Sequence, residues 1–467
     1  MIVRNGLAAL AGRQDFERMD LRLRSGRFVE IAQRLDPEAG EEIVDAAGLM
    51  VLPGAIDPHV HFDEPGFTHR EDFLHGTSEA AKGGVTTVID MPCTSLPPVT
   101  TAEAFRNKLG IVSKSAVVDY ALFGGVSGHT VDASLGGAMA ELAGLGVVGF
   151  KCYFISGMET FTRVTHDDFA RVLREAERVG RPVLLHAEDL DYVTAATARV
   201  KAARGTAAPQ WDDYCDSRAE AAETVAVASA LALAAGREDR LHVVHVGTAA
   251  AARLIAASGA SCETCAHYLA FSREDFASRG AALKTAPVVK SRGEAEALWR
   301  LLADGAIDFV TSDHAPAPAE EKNTGNPWTA YGGIPGTGTL LPFLLSEGLF
   351  AGRLSLVRFV DAIAGAAARR YGLAARKGSI EVGKDADFVL VDPAGTTTMR
   401  GDELFSKGRI TPFEGMTFKG RIAATYVRGR PVYDGRTPSG AADGASDGPG
   451  RIVAAPGSGK FLSWGYR

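Results

Sequence analysis

The chain has 467 residues, 46% of them hydrophobic and 23% charged, with a formal net charge of −7. That length is too great for one small domain, and an acidic balance without a basic stripe excludes nucleic acid as an expected partner. No apolar run approaches the roughly 20 residues needed to cross a bilayer, so no membrane association is expected.

From the N-terminus, residues 1–52 alternate short apolar runs with Asn-Gly and Ser-Gly signals, the pattern of short antiparallel strands. MIVRNGLAAL has one early arginine, a short apolar run and no clear cleavage site, and reads as a first strand and turn. From residue 53 the rhythm changes. Strand-like runs (VTTVIDMP, VVDYALFGG, VVGFKCYF, PVLLHAED, LHVVHVGT and IDFVTSD) alternate with helical stretches such as HDDFARVLREAERVG and EAEALWRLLADG. Repeated βα units over residues 53–376 predict an α/β fold, a (β/α)8 TIM-like barrel. Short strands return from residue 377, so residues 1–52 and 377–467 are expected to combine into a small composite β-sandwich. Residues 436–450, RTPSGAADGASDGPG, are expected to be a flexible segment.

The chemistry-bearing residues fall at expected strand ends. His59 and His61 follow the run Leu49-Met50-Val51-Leu52; two apart in a strand, both imidazoles face one side and can reach one ion. Chance proximity of two histidines is the plain alternative. His186 ends PVLLH, His245 ends LHVVH with Thr248 placed to cap the next helix, and Asp313 ends IDFVTSD. His242, three residues before His245, points to the opposite face and is excluded as a co-ligand. Lys151 sits inside the apolar run VVGFKCYF, where an unpaired ammonium is costly. Either a salt bridge neutralises it, or CO₂ converts it to an anionic carbamate that can bridge two metal ions. The five cysteines, Cys93, Cys152, Cys215, Cys262 and Cys265, are too few and too scattered for a disulfide framework and point to a reducing cytoplasm. Cys262 and Cys265 have CxxC spacing without a second pair and read as buried thiols.

The motifs DPHVHFDEPG, AAKGGVTTVIDMP, GFKCYF, LLHAED, HVVHVGT, CETCAHYL, TSDHAPAPAEEK, GGIPG and PFEGMTFKG occur in this order along nearly the whole chain. The sequence resembles the cyclic-amidohydrolase branch of the amidohydrolase superfamily: allantoinase, hydantoinase or dihydropyrimidinase, and dihydroorotase. That resemblance implies a barrel with a composite β-sandwich and two divalent metal ions, usually zinc. His59, His61 and Asp313 would hold one ion, His186 and His245 the other, and carbamylated Lys151 would bridge them. It further implies that hydroxide attacks a ring amide carbonyl while Asp313 carries the proton to the leaving nitrogen. A homo-oligomer, dimer or tetramer, acting on a small cyclic amide in the cytoplasm is implied as well.

Departures from the family patterns bear on the substrate. Dihydroorotases usually carry an arginine two residues after the second metal histidine; here Asp63 stands there and would repel an anionic ligand. They also usually have asparagine where this chain has Cys93. The dihydropyrimidinase-type tyrosine five residues beyond the bridging lysine is replaced by Ser156, while Tyr153 lies two beyond it. Allantoinases look closest through HxHxxEPG, GFKC, Pro97-Pro98 and CETCxHYL, although their SDHSP is SDHAP here; hydantoinase ranks second and dihydroorotase third. Substrate contacts are expected from Asp63 and from backbone at Ala286 and Gly333, where glycine permits close approach. His267 and His314 are expected either near the metals or in supporting loops. A non-enzymatic scaffold that keeps the barrel is the alternative of a different class.

Overall fold

The computed structural model describes residues 1–132, 134–435 and 450–467. The Gly-rich segment expected to be flexible lies outside the described residues, apart from residue 450.

The chain opens with β1 (Ile2–Ala8), β2 (Glu17–Arg24), β3 (Arg27–Ala32), β4 (Ile43–Asp45) and β5 (Met50–Pro53). The Ser25-Gly26 signal forms the β2–β3 hairpin, both residues having left-handed φ values of 49° and 79°. Such a turn matches the twist of the strands it joins.

The barrel follows: β6 (Ala55–Val60), β7 (Val85–Asp90), β8 (Asp119–Leu122), β9 (Gly124–Gly125), β10 (Phe150–Tyr153), β11 (Val183–His186), β12 (Leu241–Val243), β13 (Ser261–Cys265) and β14 (Phe309–Thr311). Every ladder among them is parallel. β8 and β9 are two pieces of one barrel strand separated by Phe123, whose N–H donates to Asp90 O at 3.1 Å while Gly124 N donates to Gly149 O at 2.9 Å. On the far side His61 N donates to His314 O at 2.7 Å and His314 N to His59 O at 3.2 Å, so β14 closes onto β6. Among the described residues, eight parallel strands make a closed barrel. Its strands are apolar almost throughout because both faces are covered; all six residues of β7 are buried.

Helices stack outside for local reasons. Residues His166–Val179 form one whose Phe169, Val172, Leu173 and Ala176 fall on a single buried stripe. Thr165 and Asp168 cap it reciprocally, and the chain leaves at Gly180 with φ 67°. Thr248 does occupy the N-cap of Ala249–Ser258, but its hydroxyl makes no capping bond. The Ala249 amide is instead taken by the Glu294 carboxylate at 2.5 Å, a stronger acceptor from outside the helix.

The remaining strands are β15 (Phe388–Thr398), β16 (Thr417–Val427), β17 (Arg430–Asp434) and β18 (Arg451–Ile452). β5 pairs antiparallel with β15, Met50 to Pro53 against Val391 to Phe388, and this puts both ends of the chain into one sheet, ordered β18-β17-β16-β15-β5-β1-β2-β3 with β4 on β1. Val3, Leu21, Phe28, Val51, Phe388, Leu390 and Tyr426 give it a core of its own. A buried ion cluster ties it to the barrel: Lys377 Nζ lies 2.6 Å from Asp119, at the start of β8, and 3.0 and 2.5 Å from Asp385 and Asp387, which lead into β15. Among the described residues, no helix is long and apolar enough to cross a membrane.

Candidate metal centre

The parallel barrel delivers six side chains to one mouth, at the C-terminal ends of its strands. His59 lies in β6 and His61 just past it; Lys151 is in β10, and His186 ends β11. His245 and Asp313 do not end their strands as expected. Strand pairing stops at Val243 and Thr311, and each residue sits two positions further in a left-handed turn, with φ 43° and 48°. Non-glycine residues there cost about 1–3 kcal/mol and gather where function requires the direction they impose.

Asp313 Oδ1 lies 3.3 Å from His59 Nε2 and 3.4 Å from His61 Nε2. His186 Nδ1 lies 3.0 Å from His245 Nε2. The His59 and His245 rings are 5.3 Å apart between centroids, which joins the two sets. Lys151 Nζ is fully buried and has no hydrogen-bond partner among the described residues; the salt bridge that could have neutralised it is absent there. Its nearest aromatic contact is the Tyr153 ring, 4.9 Å away.

Burial sets the charge state. It pushes the Lys151 amine down against the pull of nearby Cys93, Asp313 and Glu263, and it pushes the His59 and His245 imidazoles well below their usual range, where neighbouring Lys151 and histidine groups add to the shift. Burial opposes ionisation of Asp313, yet His59, His61 and His245 hold its carboxyl well below the usual carboxylate range. Four imidazoles, an ionised carboxylate and an orphaned amine converging at one mouth form a donor set that fits divalent metal ions. His61 differs from the other three rings, since its burial is outweighed by Cys93 and Asp313, which raise it to about 10. His59, His61 and Asp313 place one ligand atom each within 4.8 Å of the others.

Behind these groups stands a layer of partners that sequence reasoning missed. Glu263 Oε1 lies 2.5 Å from His59 Nδ1, and Oε2 lies 3.1 Å from Nε2 of His242, whose Nδ1 faces Ser261 Oγ at 2.7 Å. His242 thus stands behind His59, joined to it through Glu263. Glu188 Oε2 lies 3.2 Å from His186 Nε2 and is itself paired with Arg218. Charged residues inside the apolar runs CETC and LLHAED were the available signal. His314 holds a loop: its Nδ1 accepts the backbone N–H groups of Gly336 and Thr337 at 3.2 and 3.3 Å, leaving Nε2 to face Glu71 at 3.1 Å. His267 is buried on the short helix Ala266–Ala270, with no partner for either ring nitrogen among the described residues. All five cysteines are free, as expected without a disulfide framework, and all are buried, matching the reading of Cys262 and Cys265 as buried thiols.

A cavity of about 240 Å³ opens onto the cluster, lined by its histidines and Asp313 together with Thr94, Tyr153, Ser156, Met158, Arg218, Ala286 and Tyr331. Ala286 lines it as expected, as does Gly332, but Asp63 and Gly333 do not. Strand alternation ends at His61, and a left-handed φ of 57° at Asp63 turns its carboxyl into the interior, where burial raises it to about 7. The Gly333 carbonyl is taken by Lys322 Nζ at 2.8 Å. Tyr153 stacks on His186 with centroids 5.0 Å apart, its hydroxyl 3.1 Å from Cys93 Sγ, and the Ser156 hydroxyl donates to Phe161 O at 2.7 Å. A larger cavity of about 520 Å³ is edged by Arg369 and Lys377, but Arg369 is paired with Asp361 at 2.8 Å and Lys377 with its aspartates. Chemistry, not size, selects the site.

A closed parallel barrel with imidazoles, a carboxylate and a buried lysine at its C-terminal mouth defines a metal-dependent hydrolase. Residues 50–432 match the amidohydrolase family, and the chain belongs to it. Among its relatives, the allantoinase of Rubrobacter xylanophilus is 40% identical over 99% of this chain and 97% of its own length. The allantoinase of Deinococcus radiodurans is 37% identical over 91% of this chain and 94% of its own. Among solved structures, the L-hydantoinase of Arthrobacter aurescens aligns with a TM-score of 0.90 at 30% identity, covering 99% of each chain.

Proposed function

We propose that this chain is an allantoinase, opening the ring amide of allantoin to give allantoate. The observation that carries hydrolysis is the orphaned, fully buried Lys151 amine amid His59, His61, His186, His245 and Asp313. Burial favours the neutral amine, the form that adds to CO₂ and loses a proton to become a carbamate. His59, His61 and Asp313 would hold one ion, His186 and His245 the other, with the Lys151 carbamate between; zinc suits this imidazole and carboxylate set. Such a pair of ions, when bound, supplies Lewis acidity and a water acidified enough to deprotonate near neutral pH. Asp313, held ionised, takes the proton of the attacking water and returns it to the leaving ring nitrogen. Ala286 and Gly332 line the cavity wall and would offer their backbone to the ring. Residues 53–376 would form the catalytic unit and residues 1–52 with 377–467 its companion, in a cytoplasmic homo-oligomer.

The choice of ring rests on the allantoinases that match nearly the whole chain. Hydantoinase activity on 5-substituted hydantoins is the second reading, favoured by the fold match to L-hydantoinase. A ring-opening assay on metal-loaded protein supplied with bicarbonate separates them, using allantoin, hydantoin, 5-alkylhydantoins, dihydrouracil and dihydroorotate. Allantoin as best substrate supports the proposal; a 5-alkylhydantoin or dihydroorotate as best substrate overturns it.

A further inference from the structure

Arg218 lines the same cavity as His186, His245 and Asp313. It leaves the end of the helix Trp211–Ser217, and its head is held from two sides. Nη1 donates to the Glu188 carboxylate, which is fully buried, and the guanidinium lies 5.5 Å from the Tyr214 ring centroid. Lys290 Nζ donates to the Arg218 carbonyl and anchors its backbone. Among the described residues, Nε and Nη2 donate to no protein acceptor, and the side chain keeps 18% of its surface exposed. The other side chains that line the cavity outside the histidine and Asp313 cluster (Thr94, Tyr153, Ile155, Ser156, Met158, Ala286, Ala315 and Tyr331) are neutral. A planar guanidinium held by Glu188 and Tyr214, with donors to spare, therefore lines the cavity, one carboxylate away from His186.

We propose that Arg218 is a specificity-determining residue that offers these spare donors to the carbonyl oxygen of an exocyclic ring substituent, the ureido group of allantoin, while the ring amide lies at the histidine cluster. This inference rests on the cyclic-amide reading above. Glu188 already neutralises the guanidinium charge, so the spare donors suit a neutral carbonyl better than a carboxylate, which would also meet the Glu188 charge. An alkyl or aryl substituent in that place would strip water from the N–H groups and give nothing back, so the site selects against it.

The test compares the wild type with Arg218→Lys, which keeps a cation beside Glu188 but loses the planar fork, and with the harsher Arg218→Met. Allantoin and unsubstituted hydantoin share the ring and differ in the ureido group. The expected result for Arg218→Lys is a rise of about tenfold or more in KM for allantoin, with kcat little changed. The allantoin-to-hydantoin ratio of kcat/KM then falls by a similar factor, and metal content is retained. Equal losses on both substrates would overturn the inference, because the arginine would then act only through Glu188 and His186. If the wild type opens neither ring, the allantoinase reading fails, and Arg218 is judged by binding. A rise in Tm induced by allantoin beyond that induced by hydantoin, lost in Arg218→Lys, supports its role; equal shifts in both proteins overturn it.

Discussion

Glu263 Oε1 and His59 Nδ1, 204 residues apart in the chain, lie 2.5 Å apart inside the barrel. With Nδ1–H donating to this carboxyl, the Nε2 lone pair is turned toward Asp313 and His61. Orientation of this kind by a partner behind the ligand is what raises a metal site's affinity.

Glu263→Gln keeps the size of the side chain and replaces the carboxyl that faces His59 Nδ1 with an amide. With His59 and His61 as ligands, as proposed, it is expected to weaken metal binding about 10–100-fold. Metal retained per chain against a graded chelator series measures this; unchanged retention would mean that Glu263 only fills space.

Lys151→Met separates structure from function by sign. In chelator-treated protein the substitution is expected to stabilise by about 1–3 kcal/mol, because it removes a buried amine that has no partner. In metal- and bicarbonate-supplied protein it is expected to abolish ring opening and lower metal content. Denaturant midpoints and elemental analysis check the two halves.

A pH effect follows from two buried lysines that hold the Ala330–Gly333 backbone beside the cavity. Lys322 Nζ donates to the carbonyls of Gly333 and Tyr331 at 2.8 and 3.2 Å, and Lys284 Nζ to that of Ala330. Burial, with each lysine or arginine neighbour adding to it, lowers Lys322 to about 7 and Lys284 to about 8. The unfolded chain therefore binds more protons than the folded one between pH 7 and the ordinary lysine range, so their contribution to stability improves as pH rises through that window. Urea midpoints at pH 7 and 9.5 should show the wild type gaining on Lys322→Met at the higher pH. A constant difference between the two proteins would refute the assignment.

Thr165→Ala removes one half of a reciprocal cap at a residue that does not line the cavity. It is expected to cost about 1 kcal/mol in denaturant unfolding and to leave kcat and KM as they were. A loss of activity without a loss of stability would contradict the placement of this helix outside the site.

The alternation of βα units, the return of short strands after residue 377 and the positions of His59, His61, Lys151, His186, His245 and Asp313 were legible in the sequence. Each depends on local periodicity and on chain order: a parallel barrel must bring the C-terminal ends of its strands to one mouth. That His245 and Asp313 sit in left-handed turns beyond their strands was not legible, because the pairing that ends a strand belongs to its neighbours. The place of Asp63 was missed for a related reason, since period-two reasoning stops where φ changes sign.

The sequence by itself determined which side chains could bind metal and which fold could gather them, because residue type and spacing carry both. Only the tertiary structure decided what stands behind those side chains and what else lines the cavity they open onto. Glu263 meets His59 across a separation of 204 residues, and Arg218 meets Glu188 across 30, through barrel closure and helix packing. Hydrogen bonds across such separations depend on where whole strands and helices come to rest in three dimensions, and no local pattern in the chain encodes them.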